Sequence, residues 1–392
     1  MPDTNSPPPS LPKPNVARTW SRREFLQSML AGSAGLTLAP RLWAQTPPPA
    51  LAQGIVFHDQ DGDGRRGPGD PGIEGVAVSN GRAVTLTDSR GRWRLPVEGD
   101  STTFFVIKPR GWKTRLSRHH LCLHYYHHHP HGSPRQRFPG VPASGALPES
   151  IDFALSPQDE PDRFKALVCG DPQPRDLREV GYLAQTVVPD LVGTEAAFGV
   201  SLGDIAFDNL DTLEPLSQVM GLVGVPWHHV PGNHDVNREA ADNRQAFETF
   251  RRVFGPTYSA FQHGPVHFLL LNNIEWTGKD AAAPDRQADY RGGLGERQLE
   301  FVANYLPHVP REQLVVLLMH IPLQCGYDPS PRMQTVDRPT LYRLLEDRPH
   351  TLSFSAHTHI LGHLFLDAAD GWHGPQPHHH IMAGALCGSW FR

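Results

Sequence analysis

The chain has 392 residues, 39% hydrophobic and 20% charged, with 36 Gly and 39 Pro, which excludes a collagen-like or disordered polymer and suits two turn-rich domains. A net charge of -5 argues against a binder of nucleic-acid backbones, because such proteins usually present a basic surface. Histidine is the outlier at 23 copies, an excess of the commonest metal ligand that puts metal chemistry first.

Residues 1–44 read as an address. A proline-rich leader is followed by Ser21-Arg22-Arg23-Glu24-Phe25-Leu26 and then by an uncharged, modestly apolar run from Ser28 to Ala39, a pattern that looks like a twin-arginine export signal. The run is shorter than the ~20 residues of a membrane span, and no later segment is apolar enough to make one. Cleavage is expected near Ala44. The segment carries five basic and two acidic residues, so its removal takes the net charge from -5 to -8. The mature chain is therefore expected to be periplasmic or secreted, with the twin-arginine machinery as its first partner. Export in the folded state suits a protein that takes its cofactor in the cytoplasm. The four cysteines, Cys122, Cys169, Cys325 and Cys387, form no zinc-type spacing and allow three disulfide pairings, with Cys169 expected as a buried free thiol.

Residues 45–157 predict a small all-β sandwich. Short strand-like runs at residues 75–79, 84–87, 92–95 and 103–107 are separated by turn residues, and no helical period of useful length interrupts them. This arrangement resembles Ig-like or prealbumin-like modules. Its most chemical feature is Asp59-Gln60-Asp61-Gly62-Asp63-Gly64, with Asp70 eleven residues after Asp59. In an EF-hand-type loop positions 1, 3, 5 and 12 supply oxygens and position 6 turns sharply, which assigns Asp59, Asp61, Asp63, Asp70 and Gly64 to a candidate calcium loop. Asp at the last position reaches less far than the usual Glu, and a strand precedes the loop in place of a helix. After the sandwich, residues 118–134 hold seven histidines. Without acidic partners or regular spacing, this tract is read as a histidine-rich surface loop rather than a coordination sphere.

Residues 158–392 alternate apolar strand-like runs with helical patterns, for instance helices over residues 239–254 and 296–306. Four apolar runs stop at metal-competent side chains, in Gly170-Asp171-Pro172-Gln173, Gly203-Asp204, Gly232-Asn233-His234-Asp235 and Met319-His320, and a fifth block reads Ala356-His357-Thr358-His359. In α/β folds ligands gather beyond the carboxyl ends of strands, so these separated residues are expected to converge. His228, His229 and His267 lie within apolar strands and are read as packing residues. His378, His379 and His380 are given no role.

In order and content the five blocks resemble those of calcineurin-like metallophosphoesterases, over residues 164–390, and the β-module in front resembles that of an exported branch of the superfamily. The resemblance implies a four-layer α/β/β/α sandwich and a dinuclear centre. Asp171, Gln173 and His359 would hold one divalent ion, Asn233, His320 and His357 the second, and Asp204 would bridge both. A hydroxide bridging the two ions would then attack a phosphate ester in line. His234 would stabilise the transition state or protonate the leaving oxygen, Asp235 would hold its ring and Asp208 would support the site from behind. One position departs from the pattern, because Gln173 stands where the superfamily usually has histidine. A neutral oxygen donor is harder, which favours manganese, iron(II) or magnesium over zinc at that ion, and the metal stays open among these four. The expected substrate is a small-molecule or envelope phosphate ester, mono- or diester, chosen by the loops at residues 275–295 and 324–337. Relatives with this module generally continue into a C-terminal domain, which is expected to be absent here. Two rival readings are an exported binding protein whose metal site has decayed and a metal store built on the histidine tracts.

Overall fold

A computed structural model describes residues 49–278 and 290–387. Residues 1–44, expected to be an export signal, lie outside the described residues. The described residues form one compact unit.

The first half is a sandwich of two sheets. Strands β1 (Leu51–His58), β2 (Ala77–Ser79), β3 (Val84–Leu86), β4 (Arg92–Pro96), β5 (Thr102–Val106), β6 (Trp112–Leu116), β7 (Cys122–Leu123), β8 (Tyr125–His128) and β9 (Phe153–Pro157) are sorted as β4-β1-β9-β6-β7 against β3-β2-β5-β8. Alternation does the sorting. In β4 Trp93 and Leu95 face inward while Arg92 and Arg94 face out, and they meet Val56, Val78, Phe104 and Phe153 in a closed core.

The second half opens with β10 (Lys165–Cys169), helices α1 (Leu177–Thr186) and α2 (Val188–Leu191), β11 (Ala196–Leu202), α3 (Leu213–Gly221) and β12 (Trp227–Val230), whose three strands pair in parallel in sequence order. It continues through α4 (Glu248–Phe254), β13 (Ser259–His263), β14 (Val266–Leu270), the hairpin β15 (Ile274–Trp276) with β16 (Tyr290–Gly292), α5 (Glu296–Tyr305), β17 (Leu314–Leu318), α6 (Arg338–Leu345), β18 (Thr351–Ser355), β19 (Gly362–Leu366) and β20 (His378–Met382). A six-stranded sheet in the order β13-β14-β17-β18-β20-β19 results. The two sheets face each other through Phe198, Val200, Leu202 and Val230 on one side and Phe261, Phe268, Leu270, Val316 and Leu318 on the other. Helices α1, α3 and α4 cover the small sheet through Leu183, Leu213, Leu216, Met220 and Phe250. Helices α5 and α6 cover the large one through Phe301, Tyr305, Leu341 and Leu345. The expected α/β/β/α layering follows, since each strand is apolar on both faces and needs cover on both.

The two halves share a core. Ala77, Phe105 and Ile107 of the sandwich pack with Leu269, Phe301 and Leu317, and Lys108 Nζ reaches Glu160 at 2.5 Å and the Gln262 carbonyl at 2.6 Å. The histidine tract lies in this seam, which corrects its reading as a surface loop. Of its seven histidines only His131 is exposed. His127 in β8 sits between Thr103 Oγ1 at 2.8 Å and the Arg251 carbonyl at 3.1 Å, and His129 lies 3.6 Å from Glu248. The sequence could not indicate this burial, because the covering helix α4 lies more than a hundred residues downstream.

Helix α4 is also shorter than the expected span of residues 239–254. Asn237 and Asp242 accept from backbone N–H groups two and three residues on, and Asn243 accepts from Trp276 N. These local bonds compete with the helix and hold residues 239–247 as turns. None of the four cysteines is in a disulfide, so none of the three pairings forms. Burial pushes the Cys169 thiol up to about 12.

Candidate metal centre

Five strand ends build the site. Asp171 follows β10, Asp204 follows β11, Asn233 follows β12, His320 follows β17 and His357 follows β18, so parallel strands in two facing sheets deliver their ends to one edge. The backbone there is strained. Among the described residues seven non-glycine positions have positive φ, and six of them are Asp171, Gln173, Asp204, Asp208, His357 and His359. Such left-handed conformations are disfavoured for residues with a Cβ and cluster where side chains must be aimed.

The aimed groups meet around His320. Its Nε2 lies 3.0 Å from Asn233 Oδ1, 3.3 Å from Asp204 Oδ1 and 3.2 Å from His357 Nδ1, while its Nδ1 lies 2.8 Å from the Leu202 carbonyl. His359 Nε2 stands 3.6 Å from Asp171 Oδ1. Gln173 reaches the cluster with its amide nitrogen, which donates to Asp204 Oδ2. The coordinating atoms of Asp204, His320 and His357 all lie within 4.8 Å of one another. All seven residues expected as ligands are thus brought together.

The electrostatics are those of a site arranged for cations. Asp171 and Asp204 are fully buried. Burial, reinforced by the Asp204 charge, pushes Asp171 up to about 7. Burial also acts upward on Asp204, but His320 and His234 outweigh it and hold that carboxyl below its usual range. His320, although buried, is raised to about 9 by Asp204, and burial together with the His320 charge takes His357 down to about 3. The donor set of two carboxylates, two amides and three imidazoles fits hard to borderline divalent ions such as magnesium, manganese, iron(II) and zinc.

His234 points to the same edge, and its support corrects the expected role of Asp235. Its Nδ1 pairs with Asp208 Oδ1 at 2.9 Å, and its ring stacks on Phe207 at 4.4 Å. Asp235 is completely buried and accepts instead from the backbone N–H groups of Gly232, Ile205 and Ala206 at 2.8–3.1 Å. It ties the loops that carry Asp204 and Asn233 to each other, so the ring-holding role passes to Asp208. Burial opposes a charge on His234, but Asp204 and Asp208 more than compensate, and its pKa is raised.

Sequence reasoning missed Asn273. It is fully buried, and its Oδ1 accepts from His320 N at 3.2 Å and Ile321 N at 3.1 Å while its Nδ2 donates to the Ile321 carbonyl at 2.6 Å and Thr335 Oγ1 at 2.9 Å. The pair Asn272-Asn273, closing the apolar run through β14 and Leu271, was the available signal. The two loops expected to choose substrate both reach His357. One gives the Arg332 carbonyl, 3.1 Å from His357 Nε2, and the other the Tyr290 ring, 6.2 Å between centroids. Residues 279–289 of the second loop lie outside the described residues.

In the acidic loop Asp59, Asp61 and Asp63 place carboxylate oxygens within 4.8 Å of one another. Gly62 and Gly64 have φ of 77° and 73°, so the sharp turn falls where expected. Asp70 closes the loop by accepting from Gln60 N at 3.1 Å and Gly67 N at 2.7 Å.

This site lies in a calcineurin-like phosphoesterase fold. The family described as Calcineurin-like phosphoesterase matches residues 164–361, half of the chain, and the module described as N terminal of Calcineurin-like phosphoesterase matches residues 60–139; the chain belongs to this family. Among solved structures it is similar to a dimetal phosphatase from Danio rerio, with 16% identity over 57% of this chain and 88% of that one at a TM-score of 0.41. It is also similar to a purple acid phosphatase from yellow lupin seeds, with 12% identity over 86% of this chain and 59% of that one at a TM-score of 0.42. No curated protein matches.

Proposed function

We propose that the chain is an exported hydrolase of phosphate esters that works with two divalent ions. The convergence of seven donors from five strand ends, five of them (Asp171, Gln173, Asp204, His357 and His359) on backbone held at positive φ, carries this reading. Asp171, Gln173 and His359 would hold one ion, Asn233, His320 and His357 the other, and Asp204 would serve both. Bound there, the ions would polarise the phosphoryl group and lower the pKa of water. The chain's own residues do the rest. His234, kept in orientation by Asp208 and Phe207, holds a proton at Nε2 for the departing oxygen. Asp235 fixes the relative position of the loops that carry Asp204 and Asn233. Tyr290 and Arg332 border the entrance and meet whatever the phosphoryl group is attached to.

Export rests on the Arg22-Arg23 motif, and replacement of both by lysine should leave the protein in the cytoplasm. The Asp59 loop is proposed to hold a structural calcium ion, and Asp61→Asn should abolish any calcium-dependent gain in thermal stability.

The decisive experiment combines elemental analysis with turnover of p-nitrophenyl phosphate and bis(p-nitrophenyl) phosphate by the wild type and Asp204→Asn. Two ions per chain and activity lost in the variant support the enzyme, and the preferred substrate settles mono- against diesterase. Two ions with no turnover on a broad phosphate panel would favour the binding protein, and many ions per chain the metal store.

A further inference from the structure

Gln173 reaches Asp204 with the wrong end for a cation ligand. Its Nε2 donates to Asp204 Oδ2, and its Oε1 faces away, 3.9 Å from the thiol Sγ of Cys387. Both side chains are buried, at 1% and 5% exposure, so neither can turn to water for a substitute partner. The approach of Cys387 is built into the fold. Past β20 the chain bridges from the large sheet to the small one: Ala385 pairs with Gly170, Leu386 N donates to the Gly170 carbonyl at 2.8 Å, and Cys387 N donates to the Asp171 carbonyl at 3.2 Å. Gly170 allows this, since a Cβ there would stand 2.9 Å from the Gly384 carbonyl and 3.0 Å from the Ala356 side chain. The thiol is thereby fixed against the first strand end, on the side of Gln173 opposite Asp204.

We infer that Cys387 is a positioning residue for Gln173: its thiol holds the amide in either of two orientations, so that Gln173 can turn its oxygen to a divalent ion without leaving a buried polar atom unpaired. A thiol is both a weak donor and a weak acceptor. With the amide as it stands, S–H donates to Oε1. With the amide turned over, Oε1 faces the ion and Nε2 donates to sulfur. An imidazole in place of Gln173 would need no such turn. Partners of this kind, one bond removed from a metal, typically change affinity 10- to 100-fold when removed. The inference rests on the dimetal reading above.

The test is equilibrium Mn²⁺ binding to wild type, Cys387→Val, Cys387→Ser, Gln173→Ala and the Gln173→Ala/Cys387→Val double variant, with unfolding midpoints of the metal-free proteins recorded beside it. Cys387→Val should weaken one of the two Mn²⁺ sites about 10- to 100-fold and leave the other unchanged. Cys387→Ser, which can still donate and accept, should recover most of that loss. In the Gln173→Ala background the valine should cost nothing further, a result that a merely structural thiol would not produce. If Cys387→Val does not fold, Cys387→Ala removes the same partner without branched bulk and carries the same expectations. Two Mn²⁺ sites of wild-type affinity in the folded valine or alanine variant overturn the assignment, as does an equal loss with and without Gln173. A wild-type chain that binds fewer than two ions overturns the dimetal reading itself, so the two failures are told apart by the protein in which they occur.

Discussion

His234 is held by Asp208 at one ring nitrogen and by Phe207 across one face, and Arg238 in turn lies 3.0 Å from Asp208. If this arrangement serves proton donation, its loss should matter in proportion to how badly the leaving oxygen needs a proton. Asp208→Asn suits the test because asparagine tolerates the positive φ of 62° at this position while losing the charge. It should lower kcat about 10- to 100-fold on alkyl phosphates and only a few-fold on p-nitrophenyl phosphate, whose leaving group departs unaided. Asp235→Asn should behave differently. It loses one carboxylate oxygen from a group that three backbone N–H donors surround, so activity should fall equally on both substrates and the thermal midpoint should fall with it. Equal effects of Asp208→Asn on both leaving groups would place Asp208 in the same structural class as Asp235. The two aspartates also mark how far the motifs could be read. Both are visible in the sequence, but which of them touches His234 depends on how the loops after β11 and β12 lie together, and spacing along the chain carries no such information.

Strands were more legible than their connections. Each of the five strands that lead into the site is followed within three residues by Asp, Asn or His, and β10, β11 and β17 are largely apolar, whereas β12 (Trp227–Val230) carries two histidines and β18 (Thr351–Ser355) three hydroxyl residues. The convergence followed from parallel pairing. What could not be read was the set of residues that bind one element to the next. Asn273 follows β14, yet its four hydrogen bonds go to the turn after β17 and to Thr335, 47 to 62 positions away. Between β18 and β20 a buried chain of side chains runs Thr351–His378–Ser353–His380–Ser355 with spacings of 2.6–3.0 Å, which explains the two histidines of the triplet that face inward. That seam depends on strand register, which a single sequence leaves undetermined. At the Asn273 junction the energetics can be tested. Asn273→Ala strips acceptors from two buried N–H groups and donors from a carbonyl and a hydroxyl, and should cost about 2–4 kcal/mol in urea unfolding. Because His320 N is one of the stranded groups, Mn²⁺ affinity should fall as well. Destabilisation with unchanged Mn²⁺ affinity would mean that the strand end alone fixes His320.

At the scale of the whole molecule the histidine excess has a thermodynamic consequence apart from metal binding. Burial lowers His124 and His378 to about 4 and His127, His229 and His380 to about 3. In the unfolded chain each titrates near ~6.5. Above that value both states are neutral and nothing is lost. As the pH falls from 6.5 toward 4, the unfolded chain takes up a proton at each of these positions and the folded chain does not, so each histidine removes about 1.4 kcal/mol of stability per pH unit. A domain of ordinary stability has roughly 5–15 kcal/mol in all, which five such groups exhaust within about two pH units. The protein should therefore be folded at pH 7 and unfolded well before pH 4, with its thermal midpoint dropping steeply below pH 6. The seam between the sandwich and the α/β layers should go first, because His127 charges beside Arg251, whose carbonyl it contacts and whose guanidinium already repels a proton there. His127→Gln keeps a polar partner for Thr103 without the titration and should flatten the dependence of the thermal midpoint on pH. A wild-type midpoint that stays level from pH 7 to pH 4.5, measured by calorimetry with metal-free protein, would show that these histidines are wetter in solution than the packing around them implies.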